Sequence, residues 1–171
     1  MSHQRRICDI RVEEHERVRH SPQIEHERKV AIFDLLEENT FEPLGDFDGP
    51  FKVRLSMAEH RLIFDIDDTD DQPLTRFNLS LRSLRSVIKD YFLICDSYFK
   101  AIKTKTASQI EAIDMARRGL HNEGAERLQE RLEGKVTIDQ GTARRLFTLI
   151  CVMHIRPDGN IEGANQVGAD D

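Results

Sequence analysis

Just after Leu81 the apolar pattern of this chain changes its repeat from two residues to about 3.6, which separates a sheet-forming part from a helix-forming part. Phe51, Val53, Leu55 and Met57 alternate with Lys52, Arg54 and Ser56, the signature of a half-buried strand. Leu62, Phe64 and Ile66 mark a second strand over Arg61–Ile66, and Phe77, Leu79 and Leu81 a third. The connections are short, including the acidic stretch DDTDDQP at 67–73, so the three strands read as an antiparallel meander. Beyond them Leu84, Val87, Ile88, Tyr91, Phe92, Ile94, Cys95, Tyr98, Phe99 and Ile102 form a wide helical stripe, expected to be the central helix of the core.

The flanks complete the outline. Cys8, Ile10 and Val12 alternate with charges and predict a short N-terminal strand, able to join the meander after a helical crossover. Ser21-Pro22 opens a helix that runs to about Glu38 and is closed by Asn39 and Pro43. FEPLGDFDGP (41–50) reads as a loop. After a break at Lys103–Thr106, Ser108 with Glu111 forms a capping box for the next helix. Lys135–Asp139 is a loop or a short extended piece, and a last helix spans about Thr142–Ile155. The expected fold class is α+β: a small antiparallel sheet, a three-strand meander plus an N-terminal strand, packed against about four helices, with a helical C-terminal half. Residues 1–156 form one such domain, and 157–171 read as a polar, mobile tail.

Composition narrows the functions. With 171 residues and 39% hydrophobic content the chain can bury one core. A net charge of -6 disfavours wholesale coating of nucleic acid. No apolar run approaches the roughly 20 residues that span a bilayer, so no membrane partner is expected. The opening MSHQRRICDIRVEE has no apolar signal core, which points to the cytoplasm. Cys8, Cys95 and Cys151 are odd in number and far apart, which argues against a disulfide framework or a cysteine-only zinc site.

Four blocks together, SPQIEHERKVAIFDLLEEN (21–39), VIKDYFLICDSY (87–98), SQIEAIDMARRGLHNEG (108–124) and TARRLFTLIC (142–151), resemble an uncharacterised protein family (UPF class) of small alphaproteobacterial proteins, with RRGLHNEG and KDYFLICDSY its most distinctive strings. The resemblance covers roughly residues 20–155 in order. It implies a bacterial cytoplasmic protein of unknown function and supplies no catalytic or ligand-binding residues.

The candidate site lies in Ser108–Glu130. Ile110, Ile113, Leu120 and Leu128 share one helical face, and Asp114, Arg117 and His121 fall in the same sector. Charges on a core-facing stripe are expensive unless paired, so the three are expected to turn inward together. Arg117 could present its fork to a carboxylate or phosphate, His121 could move a proton near neutral pH, and Asn122 and Glu123 would enlarge the polar pocket. The competing reading is a structural ion-pair network, or a helix broken at Gly119 or Gly124 that scrambles the face.

Other motifs are weaker. RLIFDIDDTDD (61–71) resembles the first motif of haloacid-dehalogenase-type phosphatases, which would make Asp65 the nucleophile and Asp67 the acid/base. That fold needs a parallel sheet with alternating helices, and here another short strand follows; Asp70 also stands where an apolar residue is usual. The same loop fails as an EF-hand, with Asp70 at the glycine position and Arg76 at the glutamate position. His3, His15, His20 and His26 lack metal spacing, and His26 has no defined partner. Arg117-Arg118, Arg127 with Arg131, and Arg144-Arg145 are basic patches, the middle one interleaved with glutamates as on a solvated helix surface. No aromatic string of an RNA-binding kind and no phosphate-binding glycine loop occurs.

The sequence therefore favours a small binding or regulatory domain, without metal or cofactor, that engages a protein or small anionic ligand through Asp114, Arg117, His121, Asn122 and Glu123. The alternatives are a metal-dependent hydrolase or phosphatase using Asp65/Asp67 or Arg117/His121, and an RNA-associated factor. The wide apolar stripe is also compatible with a homodimer.

Overall fold

A computed structural model describes residues 4–13 and 22–154. The expected tail at 157–171 and the histidines His3, His15 and His20 lie outside the described residues. Ten elements follow in order: β1 (Ile7–Val12), α1 (Pro22–Glu37), β2 (Phe41–Pro43), β3 (Phe51–Ala58), β4 (Arg61–Asp67), β5 (Pro73–Ser80), α2 (Arg85–Thr104), α3 (Ala107–Leu132), β6 (Val136–Ile138) and α4 (Gln140–Met153). The class is α+β.

The main sheet has the order β1-β3-β4-β5. The meander is antiparallel, and β1 lies parallel to β3, so the sheet is mixed. A parallel neighbour demands a crossover, which α1 supplies. The β3–β4 hairpin closes through Glu59 and His60, both at positive φ, 51° and 67°, as a two-residue turn requires. Leu62, Phe64 and Ile66 of β4 pair with Met57, Leu55 and Val53 on one face, and β4's own three are fully buried. The alternate residues, among them Arg54 and Asp65, face the other way.

Asn39 ties the crossover to the sheet. Its side-chain oxygen accepts from the Ile7 backbone N–H at 2.7 Å, and its amide nitrogen donates to Ile7 O at 3.0 Å and Leu35 O at 2.7 Å. One side chain thus acts as a strand partner for β1 and a cap for α1, consistent with the expected helix stop.

The helix expected at the centre of the core is not the central one. That place belongs to α4, whose Leu146, Phe147, Leu149 and Ile150 are wholly buried, with α1 on one flank and α3 on the other. α2 packs on α3 and leaves Leu93 and Ile102 more than half exposed. The width of an apolar stripe reports amphipathicity, whereas centrality depends on how many elements surround a helix. Two more expectations are corrected. The 41–50 segment is not all loop: Phe41–Pro43 pairs antiparallel with Val136–Ile138, a contact between segments far apart in sequence. The box that starts α3 is Thr106 with Gln109, two residues before the expected Ser108 pair, and both reciprocal bonds are present.

α3 runs unbroken through both glycines. Gly124 is buried, and a β-carbon there would land on the Phe147 ring, so α3 approaches α4 closely because this side chain is missing. Gly119 has open space around it.

Gly124→Ala is expected to lower stability by about 1–3 kcal/mol by overpacking, while Gly119→Ala should raise it by up to about 1 kcal/mol through helix propensity. Asn39→Ala should cost roughly 2 kcal/mol by orphaning the Ile7 N–H. Urea unfolding of the three variants against the parent measures all of these.

Candidate functional site

α1, α3 and α4 enclose a cleft of about 480 Å³ with Tyr91 of α2 at its inner side. Its geometry follows from the packing just described. Because α3 sits tightly on α4 at Gly124, His121, one turn earlier, meets Thr148, one residue beyond Phe147. The helical periods then place Arg117 and Arg118 on α3, and Arg144 and Arg145 on α4, around the same opening. Gly141, in the first turn of α4, also lines it. The opposite wall is α1, which contributes Glu27, Val30, Ala31 and Asp34, with His26 at the rim.

His121 is the best-defined polar group. Thr148 Oγ donates to the Arg144 carbonyl at 3.2 Å, which uses its one proton. The same oxygen lies 2.8 Å from His121 Nε2, a hydrogen bond whose direction is set by the imidazole tautomer. The ring stands 5.4 Å from Tyr91 and 5.7 Å from Phe147, centre to centre. Burial in this aromatic setting pulls its pKa down to about 4, helped by the positive charges of Arg144 and Arg117 and opposed by a bond to the Arg144 backbone. At neutral pH His121 contributes no charge.

Arg117 donates to Asp114 through Nε at 3.1 Å and Nη2 at 2.6 Å, and its guanidinium lies 4.9 Å from the centre of the Tyr98 ring. Arg118 reaches the other Asp114 oxygen at 3.0 Å. The bond to Arg117 holds the Asp114 carboxyl below its usual pKa, against its desolvation. One carboxylate thus orients two guanidinium groups. Among the described residues Arg144 and Arg145 form no ion pair, and neither do Glu27 and Asp34. Burial raises the Glu27 pKa, opposed by Arg117 and His26.

Of the five expected site residues, Arg117 and His121 line the cleft together, and Asp114 stands behind Arg117 and Arg118 as their anchor. All three are partly covered rather than fully buried. Asn122 and Glu123 are not part of the cleft. Glu123 pairs with Arg127 at 2.7 Å, and Arg127 also donates to Ser83 O at 3.3 Å. Among the described residues the buried Asn122 side-chain oxygen has no hydrogen-bond partner. Both point away from the cleft because they follow His121 by about 100° and 200° around the helix. The residues not foreseen are Glu27, Asp34, Tyr91 and Thr148, and His26 proves to line the opening. Arg144-Arg145 was visible only as a basic patch; its spacing to Thr148 held the signal, and its meaning needed the opposing helix.

Asp65 and Asp67 belong elsewhere. Asp65 lies on the face of β4 opposite Phe64, 3.0 Å from Arg76 and 4.0 Å from Arg54. The following loop is a hairpin turn, with Asp68 accepting from the backbone N–H groups of Asp70 and Gln72. The structure brings neither aspartate to Arg117 or His121. Among the described residues no group of three or more His, Cys, Asp and Glu is placed to hold a metal ion.

The depressed His121 pKa links to stability. The folded state resists a proton that the unfolded chain takes near pH 6.5. This contribution is complete above that pH and is lost as pH falls toward about 4. The expected loss is on the order of 1–3 kcal/mol, and His121→Gln should flatten this part of the profile. Urea midpoints between these two pH limits check it; equal slopes for both proteins would contradict the assignment.

Sequence comparison relates the chain to a protein family. The model of an uncharacterised protein family, UPF0262, matches residues 4–156. A UPF0262 protein of Rhodospirillum rubrum is 61% identical over 150 residues, covering 88% of this chain and 92% of the relative. One from Paramagnetospirillum magneticum is 56% identical over 156 residues, covering 91% and 99%. One from Agrobacterium fabrum is 52% identical over 151 residues, covering 88% and 96%. No solved structure matches. With the match spanning every described element, the chain belongs to the UPF0262 family of alphaproteobacterial proteins.

Proposed function

We propose that this protein is a non-enzymatic, cytoplasmic ligand-binding domain whose cleft takes a small anion bearing phosphate or carboxylate groups. The observation that carries the reading is the arginine wall. Arg144 and Arg145 face the opening with no carboxylate partner among the described residues, beside two arginines that share Asp114. This excess of positive charge stands on a chain whose net charge is -6, so it is local rather than a reflection of composition. Guanidinium forks match the geometry of carboxylate and phosphate oxygens. Gly141, in the first turn of α4 (Gln140–Met153), also lines the opening, beside Arg145. A volume of about 480 Å³ suits a metabolite-sized ligand.

Location in the cytoplasm is supported by three free cysteines, Cys8, Cys95 and Cys151. Burial raises the Cys95 thiol to about 11, so this cysteine behaves as a core residue rather than a nucleophile. Among the described residues no helix is long and apolar enough to cross a membrane.

The test is thermal unfolding with pyrophosphate or citrate against sodium chloride at matched ionic strength. Saturation near 100 times Kd would add about 2.7 kcal/mol, a rise of several degrees. Changing Arg144 and Arg145 together to Ser should remove the shift while leaving the ligand-free midpoint nearly in place. Melting curves that ignore both anions would overturn the reading.

A further inference from the structure

The two walls of the cleft carry opposite charge. On α1 (Pro22–Glu37), Glu27 and Asp34 are seven residues apart, hence on one face, and Val30 and Ala31 lie between them. Facing them across the opening are the guanidinium groups of α3 and α4. In a closed interface such groups would pair with one another. Here they do not: among the described residues Glu27, Asp34, Arg144 and Arg145 have no ion-pair partner although all four line one cleft. The space between the walls keeps the charges apart, and each wall is left with unspent hydrogen-bonding capacity of its own sign.

An anion alone would satisfy one wall and bring a like charge toward the other. We infer that the ligand of this cleft is a small zwitterion, with a phosphate or carboxylate for the arginine wall and an ammonium group for Glu27 and Asp34, joined by a short apolar spacer that lies on Val30, Ala31 and Tyr91. This rests on the anion-binding reading and adds to it the second pole of the ligand. The α1 wall then works as a selectivity element. It weakens the binding of simple anions by repulsion relative to those that carry their own counter-charge. Burial raises the Glu27 pKa, and the opposing influences of Arg117 and His26 do not offset that desolvation.

Isothermal titration with two matched pairs of probes tests this: O-phosphoethanolamine against ethyl phosphate, and 5-aminopentanoate against pentanoate. The amine-bearing member of at least one pair should bind roughly three- to tenfold tighter than its mate, the scale of one partly exposed charge pair per contact. In the double variant Glu27→Gln, Asp34→Asn the amine-bearing probe should weaken, while its amine-free mate binds as well or better, because the repulsion is gone. Glutamine reproduces the neutral form of Glu27, and both sites are at the cleft surface, so the fold should persist; circular dichroism checks that it does. Equal affinity within both pairs, or a preference for the amine that survives in the double variant, would overturn the zwitterion while leaving the anion reading in place. Binding of none of the four probes would overturn the zwitterion, and would overturn the anion reading as well if pyrophosphate and citrate also leave the melting curve unchanged.

Discussion

The contact between Gly124 and Phe147 sets the spacing on which the rest of this molecule depends. α4 is the buried axis, and α3 can lie against it only because position 124 has no β-carbon to collide with the ring. That approach brings His121 to hydrogen-bonding distance of Thr148 and packs the imidazole against Phe147 and Tyr91. It also brings the arginines of both helices around one opening. A slightly wider separation would lose the Thr148 bond and divide the arginine wall. Close packing in the core therefore decides the electrostatics at the surface.

Desolvation and pairing play different parts in the cleft. Asp114 lies in reach of two guanidinium groups and is held ionised by them, so its function is to orient Arg117 and Arg118. His121 is kept neutral by burial and by positive neighbours, which makes it a hydrogen-bonding and packing group rather than a charge. The positive potential of the wall comes from arginine alone and does not vary across physiological pH. Opposed to it, α1 offers two carboxylates without partners among the described residues. The buried thiol of Cys95 holds its proton, because burial raises its pKa.

The candidate site was half visible beforehand. Spacings of three and four residues put Asp114, Arg117 and His121 on one sector of α3, and the structure keeps Arg117 and His121 in one cleft with Asp114 behind them. Asn122 and Glu123, expected beside them, do not line the cleft, because consecutive helical residues diverge by about 100° each. Glu123 serves an ion pair with Arg127 instead. Glu27 and Asp34 carried no signal of their own, since nothing in a linear sequence states which helix lies opposite. The acidic string at 61–71 shows the converse failure: a motif-like spelling that the antiparallel meander turns into cross-strand ion pairs and a hairpin turn.

Local periodicity, capping chemistry and turn residues by themselves determined the α+β class, the meander, the helical C-terminal half and the end of α1 at Asn39, because these depend on interactions within a few residues. Long-range partners were decided only in three dimensions: the parallel place of β1 beside β3, the β2–β6 pair, the central position of α4, and the meeting of α1 with the arginines of α3 and α4. The physical reason is that each element encodes which of its faces is apolar but not which other face will cover it; that choice is made by the packing of the whole core at once.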